Sequence, residues 1–370
     1  MTMKTGMTGT NKRMLYLCPV DWRWIKQRPQ FLAEELTEHF SMHVLYPFAN
    51  KRSTLQKKQP SPVRPHPWFT LPTLGGRVPG IGKVNDWLFH LQTRLHLCLA
   101  RPDFLWVSMP WQLPAIPRGY RGTVVYDCMD DYPAITMDAA GREALIAQEK
   151  QLVERADVIF VSSENLMHEL QKRYGVSAEK MTLLRNGYHA GWPKAPDART
   201  PDGTLKIGYF GTIGRWFDFP LLLESLQAFP QIEYHLFGPA EKGMQTPQHE
   251  RIHLHGVLPH AQIPEKAAEL DVLMMPFQLN DIVRSVDPVK LYEYLFLQRN
   301  SLCVRYPEIK RYEPFVCFYE TPQEYCNQIR RLLSDNSLIY TAEGAQAFLQ
   351  DNSWSCRAKT AAERLTKAGQ

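Results

Sequence analysis

Short apolar runs alternate with amphipathic stretches along most of the chain. Met14–Cys18, Met42–Tyr46, Phe104–Val107, Thr123–Tyr126, Val158–Val161 and Met181–Leu184 read as strands. Their near-continuous hydrophobicity is what strands buried on both faces require. Between them, Pro29–Phe40, Val84–Leu99, Gly141–Arg155 and Asn165–Tyr174 carry helical spacing. Prolines and glycines crowd Lys51–Gly82, which predicts an irregular excursion there. The alternation restarts with strands Lys206–Phe210, Ile232–Phe237, Ile252–Leu254 and Val272–Met275. Helices are expected over Pro220–Phe229 and Ile263–Leu270, with another opened by Pro288.

Strand–helix alternation in both halves predicts an α/β protein with two Rossmann-like, doubly wound domains. The expected organisation is a disordered leader over 1–12, a first domain over 13–190, a linker over 191–203 and a second domain over 204–350. A last helix over 351–370 places Trp354, Ala358, Ala361 and Leu365 about one turn apart, with Asp351 or Ser353 able to cap it. Ligands of such sheets collect beyond the carboxyl ends of the strands. Two domains facing one another would put the site in a cleft between them.

Composition narrows the class. A chain of 370 residues with 44% hydrophobic and 22% charged residues has the make-up of a soluble globular protein. The seven cysteines are scattered without paired short spacings, which argues against zinc or disulfide frameworks and for a reducing cytoplasm. The net charge of +5 conceals an asymmetry. Residues 1–121 hold 17 Lys/Arg against 6 Asp/Glu, so the remainder is net acidic. Within 51–121 the basic residues interleave with Trp68, Phe69, Leu71, Trp87, Leu88, Phe89 and Trp111. Two readings stand for that segment: contact with an anionic membrane surface, or a solvated basic face over an aromatic core. No nucleic-acid-binding module accompanies the charge.

The densest chemistry lies where Val272–Met275 runs through a polar loop into the Pro288 helix, which carries Lys290 and Glu293 in its first two turns. Free N–H groups at a helix start favour an anion, and Lys290 adds a mobile positive charge. Glu293, an acceptor of hydrogen bonds, suits a diol such as a ribose. A diphosphate and a sugar hydroxyl pair could thus share one loop–helix element, although an ordinary amphipathic helix would show the same spacing. In the first half, Asp127, Asp130 and Asp131 crowd a strand end, where they suit local capping or a metal ion. Arg28 and Gln30 flank Pro29 at a helix start and suit either an anion or capping. Trp22 and Trp24 could stack on a sugar or pack inward. No carboxylate pair can be set across one glycosidic bond, which disfavours hydrolysis.

Several ordered blocks carry a family resemblance: Tyr209–Asp218, Leu236–Pro239, Gly256–Pro259, Met275–Phe277 and Pro288–Leu295. Together they resemble the C-terminal domain of GT-B-fold glycosyltransferases of the family-4 type, in particular the teichuronic acid and exopolysaccharide biosynthesis branch. Asp21–Gln30, Tyr126–Tyr132 and Asn186–Gly187 resemble the same branch, so the likeness covers about residues 14–365. The resemblance implies a retaining, metal-independent transferase of the hexosyltransferase type, with no cofactor beyond its nucleotide-sugar co-substrate. The donor would lie against Gly211, Thr212, Arg215, Arg284, Ser285, Pro288, Lys290, Leu291 and Glu293. Trp22, Trp24, Arg28 and Gln30 would meet a lipid-linked or oligosaccharide acceptor. Asp130, Lys290 and Arg215 would carry the reaction, Asp130 standing where the family often has a sugar-contacting His.

The resemblance has two departures. The family's Glu-x7-Glu pair keeps Glu293 but has Ser285 at its first position. Thr212 and Phe217 stand where an Arg and a Lys usually bind phosphate, leaving Arg215, Arg284 and Lys290 as the available cations. Expected partners are therefore a nucleotide-sugar and a cell-surface glycan precursor, with peripheral contact to the inner face of the cell membrane and no nucleic acid. A non-catalytic scaffold binding glycan or lipid, and a nucleotide-sugar epimerase, are the alternatives.

Overall fold

The computed structural model describes residues 12–24, 26–48, 61–72, 80–136, 138–189, 191–192 and 203–368. The expected leader, apart from Lys12, and most of the expected linker lie outside the described residues. The chain divides into two compact units. One comprises the residues up to Asn186 together with those from Trp354 onward, and the other runs Gly187–Ser353.

In the first unit the elements are β1 (Arg13–Leu17), α1 (Arg28–Glu35), β2 (Ser41–Pro47), β3 (His66–Trp68), α2 (Ile81–Ala100) and β4 (Phe104–Val107). They continue with β5 (Thr123–Cys128), α3 (Tyr132–Ile135), α4 (Ala139–Arg155), β6 (Val158–Val161), α5 (Glu164–Tyr174) and β7 (Met181–Leu183). The strands form one sheet in the order β3-β2-β1-β4-β5-β6-β7, and every pairing is parallel. Strand β3 corrects the expectation of a wholly irregular 51–82. His66–Trp68 adds to the free edge of β2, with Trp68 packed on Phe89 and Trp111. Proline within it is tolerated because an edge strand need not donate on its outer side.

Two apolar layers flank this sheet. On one face Leu15, Leu105, Val107, Val124 and Tyr126 pack with α2, α4 and α5. On the other, Tyr16, Trp106 and Phe160 stack in series at 5.4 and 5.2 Å. That second face is covered by α1 and by the terminal helix Trp354–Ala368, whose buried residues include Trp354, Ala358, Ala361 and Leu365.

The second unit contains β8 (Leu205–Phe210), α6 (Phe219–Ala228), β9 (Ile232–Phe237), β10 (Ile252–Gly256), α7 (Ile263–Ala268) and β11 (Val272–Met275). Then come α8 (Asp281–Arg284), α9 (Val289–Phe296), β12 (Asn300–Val304), β13 (Cys317–Tyr319), α10 (Pro322–Ser334) and α11 (Ala342–Asp351). Its parallel sheet has the order β10-β9-β8-β11-β12-β13, and α12 (Trp354–Ala368) follows in the first unit. Strand order reverses between β1 and β4 in one sheet and between β8 and β11 in the other. Each reversal opens a crevice at the strands' carboxyl ends.

Candidate functional site

The crevice of the second unit is lined by the turn after β8, the turn after β11 and the start of α9. Glycines bring these pieces together. Gly211 (φ +145°) donates its N–H to Phe237 O at 2.8 Å, and Gly238 (φ +143°) donates to Gly256 O at 2.7 Å. A Cβ on Gly238 would lie 1.9 Å from the carbonyl oxygen of Gly211. Only glycine allows the ends of β8, β9 and β10 to approach so closely in this conformation.

Helix α9 begins behind Pro288, an extended residue at the N-cap, so the helix proper starts one residue later than the proline. Leu291, Tyr292, Tyr294 and Leu295 are buried against the sheet, and the Tyr294 hydroxyl donates to Met274 O at 3.1 Å. Just ahead of the helix, Asp287 is buried but paired: Arg311 Nη2 lies 2.5 Å from its Oδ1 and also donates to the Tyr292 and Tyr312 hydroxyls. The negative charge beside the helix start is thereby neutralised, leaving the helix N–H groups to attract an anion.

Lys290 occupies the mouth of this crevice, half-buried. Its Nζ sits 5.8 Å from the Tyr209 ring centroid, and its Cε is where a Gly211 side chain would be. Burial lowers its pKa from the ordinary lysine value, against the opposing negative charge of Glu293. Among the described residues its ammonium has no hydrogen-bonding or ion-pair partner. A half-buried cation of this kind is costly unless an anion joins it.

Glu293 lies one turn along the same flank. Its Oε1 is 3.0 Å from His260 Nε2, and the His260 ring packs on Trp192 at 4.7 Å. The remaining donor-side residues divide. Thr212, Arg215 and Arg284 are exposed, and Thr212 O accepts from the Tyr209 hydroxyl at 2.8 Å. Ser285 is buried with its hydroxyl donating to Asp281 O at 3.1 Å. Leu291 is wholly enclosed in the core, and Pro288 is also buried, so Leu291 can offer a ligand only its backbone.

In the first unit, Arg28 is buried and donates through Nε and Nη2 to Asp127, the shortest contact being 2.7 Å. Its Nη1 donates to Asn186 Oδ1 at 3.2 Å. Gln30 Oε1 accepts the N–H of Gln27 at 2.8 Å, while its Nε2 is buried without a hydrogen-bond acceptor among the described residues. Trp22 packs partly against the core, and Trp24 is half-buried. The three aspartates have separate environments. Asp127 serves Arg28, whereas Asp131 caps α3 through Ala134 N–H and receives two bonds from Arg173. Asp130 is half-buried, its carboxyl making no hydrogen bond among the described residues. Burial pushes its pKa up to about 7, against the pull of Arg28 and with help from Asp127 and Asp131. With two of the three committed to arginines, the set does not offer a shared metal seat.

Sequence reasoning missed His260 and Arg311. His260 directly follows the Gly256–Pro259 block, a usable signal; nothing local marks Arg311, which meets Asp287 only through the fold.

These two crevices sit on the paired parallel-sheet architecture of the GT-B glycosyltransferase fold. Sucrose-phosphate synthase from Thermosynechococcus elongatus superposes with a TM-score of 0.70 at 13% identity, covering 96% of this chain and 99% of that one. Anabaena HepE in complex with UDP-glucose gives 0.65 at 15% identity, over 96% and 99%. In sequence, the chain is 24% identical over 277 residues to the putative teichuronic acid biosynthesis glycosyltransferase TuaH of Bacillus subtilis, spanning 68% of this chain and 69% of TuaH. No family model matches the chain.

Proposed function

We propose that this protein is a retaining, metal-independent glycosyltransferase that moves a sugar from a nucleotide donor to a cell-surface glycan precursor. The observation that carries the reading is the half-buried Lys290 ammonium at the start of α9, which has no hydrogen-bonding or ion-pair partner among the described residues and is set against Gly211 at the strand-order reversal. A donor diphosphate would supply the missing anion, held by Lys290, the first α9 N–H groups and the Gly211–Gly214 turn. As the glycosidic bond breaks, negative charge grows on that diphosphate, and fixed donors stabilise it. The exposed Arg215 and Arg284 are further cations for it. Glu293, oriented by His260, keeps Oε2 for a ribose hydroxyl. The HepE complexes with UDP and UDP-glucose support a uridine donor as the first to try.

The acceptor is assigned to the first unit. Asp130, raised toward neutrality, suits a hydroxyl of the transferred sugar, while Trp22, Trp24 and the unsatisfied Gln30 amide suit the acceptor glycan.

A lipid-linked acceptor would bring the protein to a membrane, in this reading to its cytoplasmic face. Helix α2 exposes Val84, Trp87, Leu91, Leu95 and Leu99 along one stripe, beside the exposed Phe69 and Leu71. Lys83, Arg94 and Arg101 recur at whole-turn spacings next to that stripe. An apolar ridge flanked by cations suits the surface of an anionic bilayer. No described helix is long and apolar enough to cross one.

The test is a transfer assay with purified protein, a panel of nucleotide-sugars and lipid-extract acceptors, with Lys290→Met in parallel. Turnover with one donor, lost in the variant, is expected. Donor binding without turnover on any acceptor would point instead to a scaffold, and no donor binding would overturn the reading.

A further inference from the structure

Away from the Lys290 crevice, β9 and β10 carry a group of side chains that the transfer reaction does not use. Glu233 and His235 alternate onto one face of β9, and His253 stands directly opposite His235 in the parallel register. Glu233 Oε2 lies 3.4 Å from His235 Nε2 and 3.6 Å from His253 Nε2. Both nitrogens are buried with no hydrogen-bond partner among the described residues, and one ligand atom from each of the three residues lies within 4.8 Å of the other two.

These separations exceed the usual hydrogen-bond range of about 2.7–3.2 Å. They match two ligands of one tetrahedral ion: bonds of about 2.0–2.2 Å at the tetrahedral angle place donor atoms about 3.4 Å apart. A small rotation of the imidazoles would close the third side. We propose that Glu233, His235 and His253 form a binding site for a divalent transition ion of the zinc class, clasping β10 to β9 and leaving one coordination position open to solvent.

A fourth residue completes the arrangement. His235 Nδ1 is 3.0 Å from His255 Nε2, and the His255 ring stacks on Phe237 at 4.2 Å. With the ion on Nε2, Nδ1 carries the proton and donates it to His255. That is the outer hydrogen bond which orients a ligating histidine. The donor set of two imidazoles and a carboxylate suits zinc rather than magnesium or calcium. Glu233 and His235 precede the carboxyl end of β9, so the ion would stabilise the sheet beneath the Gly238 turn and take no part in sugar transfer.

The experiment titrates chelator-treated full-length protein with Zn2+ and Co2+, reading stoichiometry, melting temperature and the cobalt absorption spectrum. One equivalent is expected, with a rise in melting temperature and tetrahedral cobalt bands free of thiolate charge transfer. Glu233→Gln and His253→Gln should each weaken binding at least tenfold while melting like the parent before metal is added. His255→Ala, which leaves the ligands in place, should weaken it about 10- to 100-fold and keeps the test open if a ligand variant melts low. His66→Gln, in the separate His43/His66/His96 group, should change nothing. No binding, binding indifferent to the Glu233 and His253 substitutions, loss of binding in His66→Gln, or a thiolate band would each overturn the site.

Discussion

Lys290 and Gly211 occupy each other's space: the lysine Cε lies 2.3 Å from where a Cβ on the glycine would be. The cation at the start of α9 is therefore placed by the absence of a side chain at the end of β8. One contact joins backbone geometry to the charge that would receive a diphosphate.

Gly211→Ala should consequently act twice. At φ +145° an alanine is strained by about 1–3 kcal/mol, and its methyl group displaces the Lys290 side chain. Thermal melts should show the destabilisation, and nucleotide titration should show weakened binding even well below the melting temperature. A variant that melts lower yet binds nucleotide like the parent would separate the two residues.

Arg28 and Asp127 make the contrasting case of a buried pair satisfied within the protein. Arg28→Met leaves a buried carboxylate alone and should cost about 3–5 kcal/mol, read from the denaturant midpoint. Arg28→Met combined with Asp127→Leu should recover much of the loss, since it removes both charges. If Arg28 instead touched the acceptor, the single variant would lose transfer with little change in stability.

Asp130 gives a pH signature. Its folded pKa, about 7, stands above the ordinary carboxyl value, so the folded state holds the proton more tightly than the unfolded chain does. Its contribution to stability is thus fully present below about pH 4, declines as pH rises through 7, and is gone above that. Asp130→Asn removes the titration, so the variant should gain melting temperature over the parent at pH 8 relative to pH 5. Parallel melting curves at both pH values would contradict this.

The α2 stripe predicts salt-sensitive sedimentation with anionic vesicles. Each basic residue near such a surface contributes about 1 kcal/mol, so raising the salt should release the protein. Trp87→Ser with Leu91→Ser should weaken binding at every salt concentration. Equal recovery with neutral and anionic vesicles would leave the cations without a role.

Much of the architecture was legible because parallel strands buried on both faces must be apolar throughout, as in Phe104–Val107 and Val272–Met275. Strands that break this rule escaped. β3 contains a proline, β12 opens with Asn300 and Ser301, and β13 spans only Cys317–Tyr319. The start of α9 was legible for a local reason: Lys290 and Glu293 are three residues apart and share a flank. The pairings that define their surroundings join Asp287 to Arg311 and Glu293 to His260, positions 24 and 33 residues apart. No periodicity encodes such contacts. The histidines of β9 and β10 were equally hidden, because only the parallel register sets His253 beside His235.

A crystal structure of the protein with UDP would locate the donor. The diphosphate is expected within hydrogen-bonding distance of Lys290 Nζ and the first N–H groups of α9, with the ribose beside Glu293. A diphosphate bound elsewhere, with Lys290 still lying unengaged against Gly211, would contradict this placement.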